Sequence, residues 1–304
     1  MKDMVIIGGG PGGLAAGIYA VRSGLDTVLY ERNALGGSVL TAGKIENYPG
    51  FPGGISGPEL VARMEEHARQ VGLNIEFNEV HEITPDNGSL HLRTREGEVS
   101  TRTVVIATGT GPRPLGVEGE ERLRGRGVSY CAVCDGAFFR NQSVAVVGGG
   151  DAAAEEANYL SRFASQVYLI HPRESIRRSR VGRRRIDENP KIKTIPKTEV
   201  IGIKGDKAVE ALILKNRETG ETSDLQVDGV FVYVGIRPNS YLVQKLVDLD
   251  DRGFIITDWR MRTSRAGIFA VGDVRRTPLR QIATAVGDGA TAAIWAEKYL
   301  TSLS

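Results

Sequence analysis

The chain has very little cysteine: Cys131 and Cys134 are its only thiols among 304 residues. That scarcity excludes the small secreted folds held together by several disulfides. Histidine is almost as rare, with His67, His81, His91 and His171 alone, and none of them supplies a second paired spacing. A closed structural zinc site needs four ligands, so no metal is expected. No stretch approaches the ~20 apolar residues of a membrane span, and the apolar run in MKDMVIIGGG is too short for a signal-peptide core. A cytoplasmic protein with no membrane partner is the expectation. Charge of one sign is lacking too: 39 Lys and Arg face 37 Asp and Glu, a formal +2 that carries no global nucleic-acid footprint.

What is present is organised around glycine. At ~100–200 residues per domain the length fits two domains, and the glycines fall in short motifs. MVIIGGGPGGLAAGIYAVRSGLDTVLYER reads as a strand over 4–7, a turn, a helix with apolar spacing over 14–21 and a second strand closing at Glu31. Gly8, Gly10 and Gly13 match G-x-G-x-x-G. The first permits the tight turn, the second lets backbone approach a pyrophosphate, and the third lets the helix pack closely. Pro11 lies in that turn as a further candidate contact, and the helix's N-terminal amides and dipole favour an anion. Glu31 lies ~20 residues on, where a carboxylate accepts from ribose hydroxyls.

The pattern recurs in SVAVVGGGDAAAEEANYLSRFASQVYLIHPRESIRR, with Gly148, Gly150 and Ala153 in the three places and Asp151 and Ala152 between the last two. His171 stands where the first copy has its acid. A carboxylate there would repel a 2′-phosphate, whereas Arg173 and Arg177 pair with one, so the second site is read as preferring NADPH over NADH. The remaining arginines of the cluster, Arg180 and Arg183 to Arg185, are read as a solvated face. Two dinucleotide sites in one chain fit a resident flavin and an exchanging nicotinamide. In GIFAVGDVRRTPLRQIATAVGDGATAA a strand over 268–271 ends at Gly272 and Asp273. Arg280, Gln281 and Ile282 then open an alanine-rich helix whose amides face a flavin edge.

With GGGPGG, CAVCDG, GGGDAA, HPRE and FAVGD in this order, the chain closely resembles the low-molecular-weight bacterial thioredoxin reductases. IENYPGFP, VVIATG and YVGIRPN extend the match from Met4 to about Leu300. The resemblance implies an α/β fold of two Rossmann-like βαβ domains of the three-layer ββα type. An NADPH domain with the redox pair (113–240) is inserted into a discontinuous FAD domain (1–112 and 241–304). It implies a homodimer, thioredoxin as protein substrate, and FAD contacts that add Asn47, Gly109, Asp273, Arg280, Gln281 and Ile282 to the first glycine turn. It implies that Cys134 is the sulfur nearer the flavin, that Cys131 attacks thioredoxin, and that Asp135 is the acid/base, with a helix N-cap as its simpler structural role. The inserted domain is expected to rotate on linkers near 112–114 and 238–241. Two departures stand out. Pro172 replaces the first of two arginines after the histidine, removing one phosphate contact that Arg178 would replace, and Ser38 replaces a glutamine near the flavin. The alternatives are a related flavin dithiol oxidoreductase using NADH, ferredoxin or oxygen, and a non-catalytic redox sensor.

Overall fold

Met4, Val5, Ile6 and Ile7 in succession make the first strand apolar on both faces, the mark of a strand covered on each side. In the computed structural model, which describes residues 1–86, 88–176 and 186–303, the chain forms two compact units. One comprises Met1–Gly111 and Arg237–Ser304, the other Pro112–Ile236.

The elements of the discontinuous unit up to the first crossing are β1 (Lys2–Ile7), α1 (Pro11–Arg22), β2 (Thr27–Tyr30), α2 (Gly57–Gln70), β3 (Asn74–Glu76), β4 (Val80–Asp86), β5 (Ser89–Thr94), β6 (Gly97–Ile106) and β7 (Thr110–Pro112). The inserted unit holds β8 (Val128–Ser129), α3 (Ala132–Asp135), β9 (Ser143–Val147), α4 (Asp151–Leu160), β10 (Gln166–Ile170), β11 (Ile192–Ile195), β12 (Thr198–Lys204), β13 (Ala211–Asn216), β14 (Thr222–Gln226) and β15 (Gly229–Val232). The chain then returns through β16 (Ile236–Pro238), β17 (Ile268–Ala270) and α5 (Ile282–Ser302). Strands β7 and β16, which carry the chain across the boundary, pair with each other.

In the discontinuous unit β3, β2, β1, β6 and β17 run parallel. The N-terminal half of β6 continues into an antiparallel meander with β5 and β4. Met4 and Ile6 pack with Leu14 of α1 and with Ala292, Ala293 and Ala296 of α5. Val5 and Ile7 face Leu92, Val104 and Ile106 on the other side. Small residues bring α1 and α5 together: a Cβ on Gly289 would stand 2.2 Å from the Gly12 carbonyl oxygen.

The inserted unit repeats the plan. Strands β11, β10, β9, β15 and β8 are parallel, and β12, β13 and β14 form an antiparallel layer. Ala145 and Val147 pack with Leu212 and Val230, while Val144 and Val146 pack with Ala154, Ala157 and Leu160. Among the described residues no helix is long and apolar enough to cross a membrane.

Candidate active site

The first glycine turn is shaped by close backbone approach. Gly8 has φ +107°, and a Cβ there would lie 2.5 Å from the Ala107 carbonyl oxygen at the end of β6. A Cβ on Gly13 would lie 1.9 Å from the carbonyl oxygen of Gly8, so α1 can start this near the strand only as glycine. Gly10, the N-cap of α1, is different: a Cβ there would meet no protein atom within 4 Å. That open cradle beside the first helical amides fits a pyrophosphate.

Gly8, Gly10, Pro11, Glu31, Gly109, Asp273, Arg280, Gln281 and Ile282 line one cleft of about 300 Å³. The Glu31 carboxylate accepts from the amides of Gly9 at 2.8 Å and Asn33 at 2.9 Å, which fixes it at the rim. Asp288 of α5 accepts from the Gly272 amide and from the Arg275 guanidinium, and so locks the turn that presents Asp273. Burial raises Asp273 above the usual carboxylate range, with Arg280 opposing and Asp288 adding to the rise. Arg280 lies 4.2 Å over the Phe254 ring, and its buried Nε has no hydrogen-bond partner among the described residues. A pyrophosphate-ribityl ligand supplies the oxygens that Arg280 and the Gly10 cradle lack, so these residues fit a flavin nucleotide.

Two of the residues expected from the sequence stand outside the cleft lining. Gly13 lies beneath the turn, and Asn47 reaches the site through Gln281, donating from Nδ2 to Oε1 at 3.0 Å. Gln281 is the N-cap of α5 and shares a capping box with Thr284. The lining also includes Gly36, Gly37 and Val39, which no motif singled out. Their signal was present as a glycine pair soon after Glu31, and both glycines have positive φ.

The second turn copies the first. Gly148 has φ +154°, a Cβ on it would lie 2.3 Å from the Tyr233 carbonyl oxygen at the end of β15, and a Cβ on Gly150 would meet nothing. Gly150 is the N-cap of α4, Asp151 and Ala152 form its exposed start, and Ala153 is buried. His171, expected at the nucleotide, is fully buried just after β10, and among the described residues neither ring nitrogen has a hydrogen-bond partner. Burial holds it below the usual imidazole range, and the nearby Arg173 charge adds to this. Arg173 is exposed. Arg177 and Arg178, with Arg180 and Arg183 to Arg185, lie outside the described residues.

The dithiol sits in this same unit. Cys131 and Cys134 are joined as a disulfide with Cα atoms 5.3 Å apart. Cys131 is the N-cap of α3, its Sγ accepting from the Cys134 amide at 3.2 Å, and Asp135 is the N-cap of the short 3-10 turn Gly136–Phe139 that follows, with no side-chain capping bond. Asp135 closes that single helical turn, because the Cys131 carbonyl already accepts its amide at 3.1 Å. Its carboxylate instead accepts from the Ser129 hydroxyl at 2.6 Å. The Tyr233 hydroxyl accepts from the Ala132 amide at 2.8 Å, so the residue after β15 anchors the first residue of the turn. Burial, and then the nearby Glu156 carboxylate, push Tyr233 well above the usual phenol range. Among the described residues no group of three or more His, Cys, Asp or Glu is placed to hold a metal.

Glu156 itself is pushed up from 4.5 to about 7 by burial and by Glu155. The folded state therefore holds a proton there that the unfolded chain releases near its ordinary pKa. Stability from this group falls as pH rises between about 4.5 and about 7 and is level above that. A Glu156→Gln variant is expected to show a flatter dependence of melting temperature on pH across that window. It should melt above the wild type at pH 8; an unchanged profile would show that burial at this position carries no linkage.

Residues 2–289 match the family model for pyridine nucleotide-disulphide oxidoreductases. The chain belongs to that family. The thioredoxin reductase of Listeria monocytogenes is 43% identical over 302 residues, covering 99% of this chain and 94% of that one. The crystal structure of Lactococcus lactis thioredoxin reductase in its FR conformation matches with a TM-score of 0.94 at 44% identity, over 99% of this chain and 100% of the other. That of T. acidophilum thioredoxin reductase matches at 0.90 with 37% identity, over 100% and 99%.

Proposed function

We propose that the protein is a thioredoxin-disulfide reductase, taking electrons from NADPH through FAD and the Cys131–Cys134 pair to the disulfide of thioredoxin. The carrying observation is that the chain's only two cysteines are paired on one helical turn in the unit built around the second glycine motif. In this reading the first cleft holds FAD, with Glu31 on the ribose and Arg280 and the α1 amides on phosphate or ribityl oxygens. The second turn holds the NADPH pyrophosphate, and Arg173 its 2′-phosphate. The enzyme is read as a cytoplasmic homodimer.

The flavin, when bound, takes hydride from the nicotinamide and delivers two electrons to a disulfide. The remaining steps belong to the protein's own side chains. Opening the Cys131–Cys134 bond leaves two sulfurs, and the Cys134 amide that donates to Cys131 Sγ stabilises Cys131 as the thiolate. That thiolate attacks one sulfur of the thioredoxin disulfide, forming a mixed disulfide and expelling the other sulfur as thiolate. Cys134 then attacks the Cys131 sulfur, restoring the internal disulfide and releasing the second thioredoxin sulfur. Asp135, on the same turn, donates a proton to a departing thiolate and recovers one from the dithiol. The sum is NADPH, a proton and a disulfide converted to NADP⁺ and a dithiol.

Anaerobic titration tests this reading. NADPH is expected to bleach the flavin band near ~450 nm, and oxidised thioredoxin to restore it. NADH is expected to bleach it more slowly. An Arg173→Ala variant should lose about tenfold or more in the NADPH reaction, the weight of a charge-assisted contact, and nothing with NADH. Equal losses with both nucleotides would remove the 2′-phosphate assignment. Bleaching by neither would overturn the choice of donor.

A further inference from the structure

We infer that Ser129 is a positioning residue for the dithiol reaction: its buried hydroxyl ties the Asp135 carboxylate to the start of the Cys131–Cys134 turn. Ser129 ends the two-residue strand β8, in parallel register with Phe231 of β15, and is 5% exposed. Its hydroxyl has one proton and two lone pairs. The proton goes to Asp135 Oδ2 at 2.6 Å, because a charged acceptor at this distance outcompetes the Cys131 carbonyl at 3.3 Å. A lone pair accepts from the Cys131 amide at 3.0 Å. One side chain therefore holds both ends of the turn, the backbone of the first sulfur-bearing residue and the carboxylate next to the second.

The consequence for chemistry is directional. Without this hydroxyl, the Asp135 carboxylate loses the donor that fixes Oδ2 and is free to rotate. The amide of Cys131 loses its acceptor at the same time. Neither loss touches the first cleft or the second glycine turn, so the defect is confined to steps that use the dithiol. The inference rests on the reading of Asp135 as the acid/base.

The test uses the flavin-loaded full chain as wild type, Ser129→Ala, Asp135→Asn and the double variant, with Ser129→Thr as the form that keeps the hydroxyl. Stopped-flow reduction of the flavin by NADPH is read alongside kcat and KM for thioredoxin. Ser129→Ala is expected to lower kcat about tenfold, with KM and the flavin-reduction rate unchanged to within about twofold. Ser129→Thr is expected to restore kcat, and the double variant to be no slower than Asp135→Asn alone. Losses that multiply in the double variant, or a wild-type kcat for Ser129→Ala beside a slow Asp135→Asn, would overturn the inference. A wild-type kcat for Asp135→Asn would instead overturn the acid/base reading beneath it.

Discussion

A Cys134→Ser holoenzyme is expected to reduce its flavin with NADPH as fast as the wild type and to lose thioredoxin turnover by more than about 10³-fold. The residues that line the first cleft all belong to the discontinuous unit, which Cys134→Ser leaves unchanged, and so the first half-reaction survives. The second half fails because a lone Cys131 thiolate can enter a mixed disulfide but has no neighbouring sulfur to resolve it. Incubation with oxidised thioredoxin should then leave a covalent adduct on a non-reducing gel, released by a small thiol. The Cys131→Ser variant should be equally inactive. Its adduct should be weaker, because the amide at the turn donates to the sulfur of Cys131 and leaves Cys134 without that stabilisation. Equal adducts from both variants would reverse or erase the assignment of the attacking sulfur.

The second large effect concerns flavin retention. Gly13→Ala places a methyl carbon 1.9 Å from the Gly8 carbonyl oxygen, so α1 must move off the strand or the turn must open. Either response dismantles the cradle proposed for the phosphate, and the protein is expected to purify colourless and with a lowered melting temperature. A cost of about 1–3 kcal/mol is typical of such overpacking. Gly10→Ala is the informative contrast. Its φ of −73° suits alanine and its methyl meets no protein atom, so the apoprotein should melt as the wild type does. The methyl nevertheless occupies the space assigned to the pyrophosphate, and flavin affinity should fall at least about tenfold. The ratio of visible to ultraviolet absorbance, with melting of the apoproteins, separates the two. If Gly10→Ala kept its full flavin complement, the cradle would have to be sought elsewhere.

These contrasts show why some of the site was legible in the sequence and some was not. The glycine turns could be read because a Cβ on Gly8, Gly13 or Gly148 would strike neighbouring backbone, and such demands leave a fixed spacing. The strand at 4–7 and the helix over 14–21 were legible through their apolar run and helical periodicity. The two antiparallel meanders were not, since β4–β5 and β12–β14 carry mixed burial and no motif. Asp135 was assigned a capping role on residue type alone. In the structure Cys131 caps α3, while Asp135 stands at the N-cap of the next short turn, Gly136–Phe139, but makes no side-chain capping bond there, its Oδ2 accepting from Ser129. Ser129 was invisible, since a serine two residues before a cysteine has no signature until the strand end beneath it is known.

Because the first cleft draws on residues 8–12, 31, 36–42, 107–110 and 271–285, it is completed only by a stretch of chain that leaves the ribosome long after the glycine turn. The inserted unit, 112–236, is fully synthesised before α5 emerges, while the nascent β1 and α1 wait for α5. During that interval the alanine-rich seam destined for Gly289 is bare, and a ribosome that stalls short of that helix releases a chain with a finished redox module and an unclosed house for its pigment.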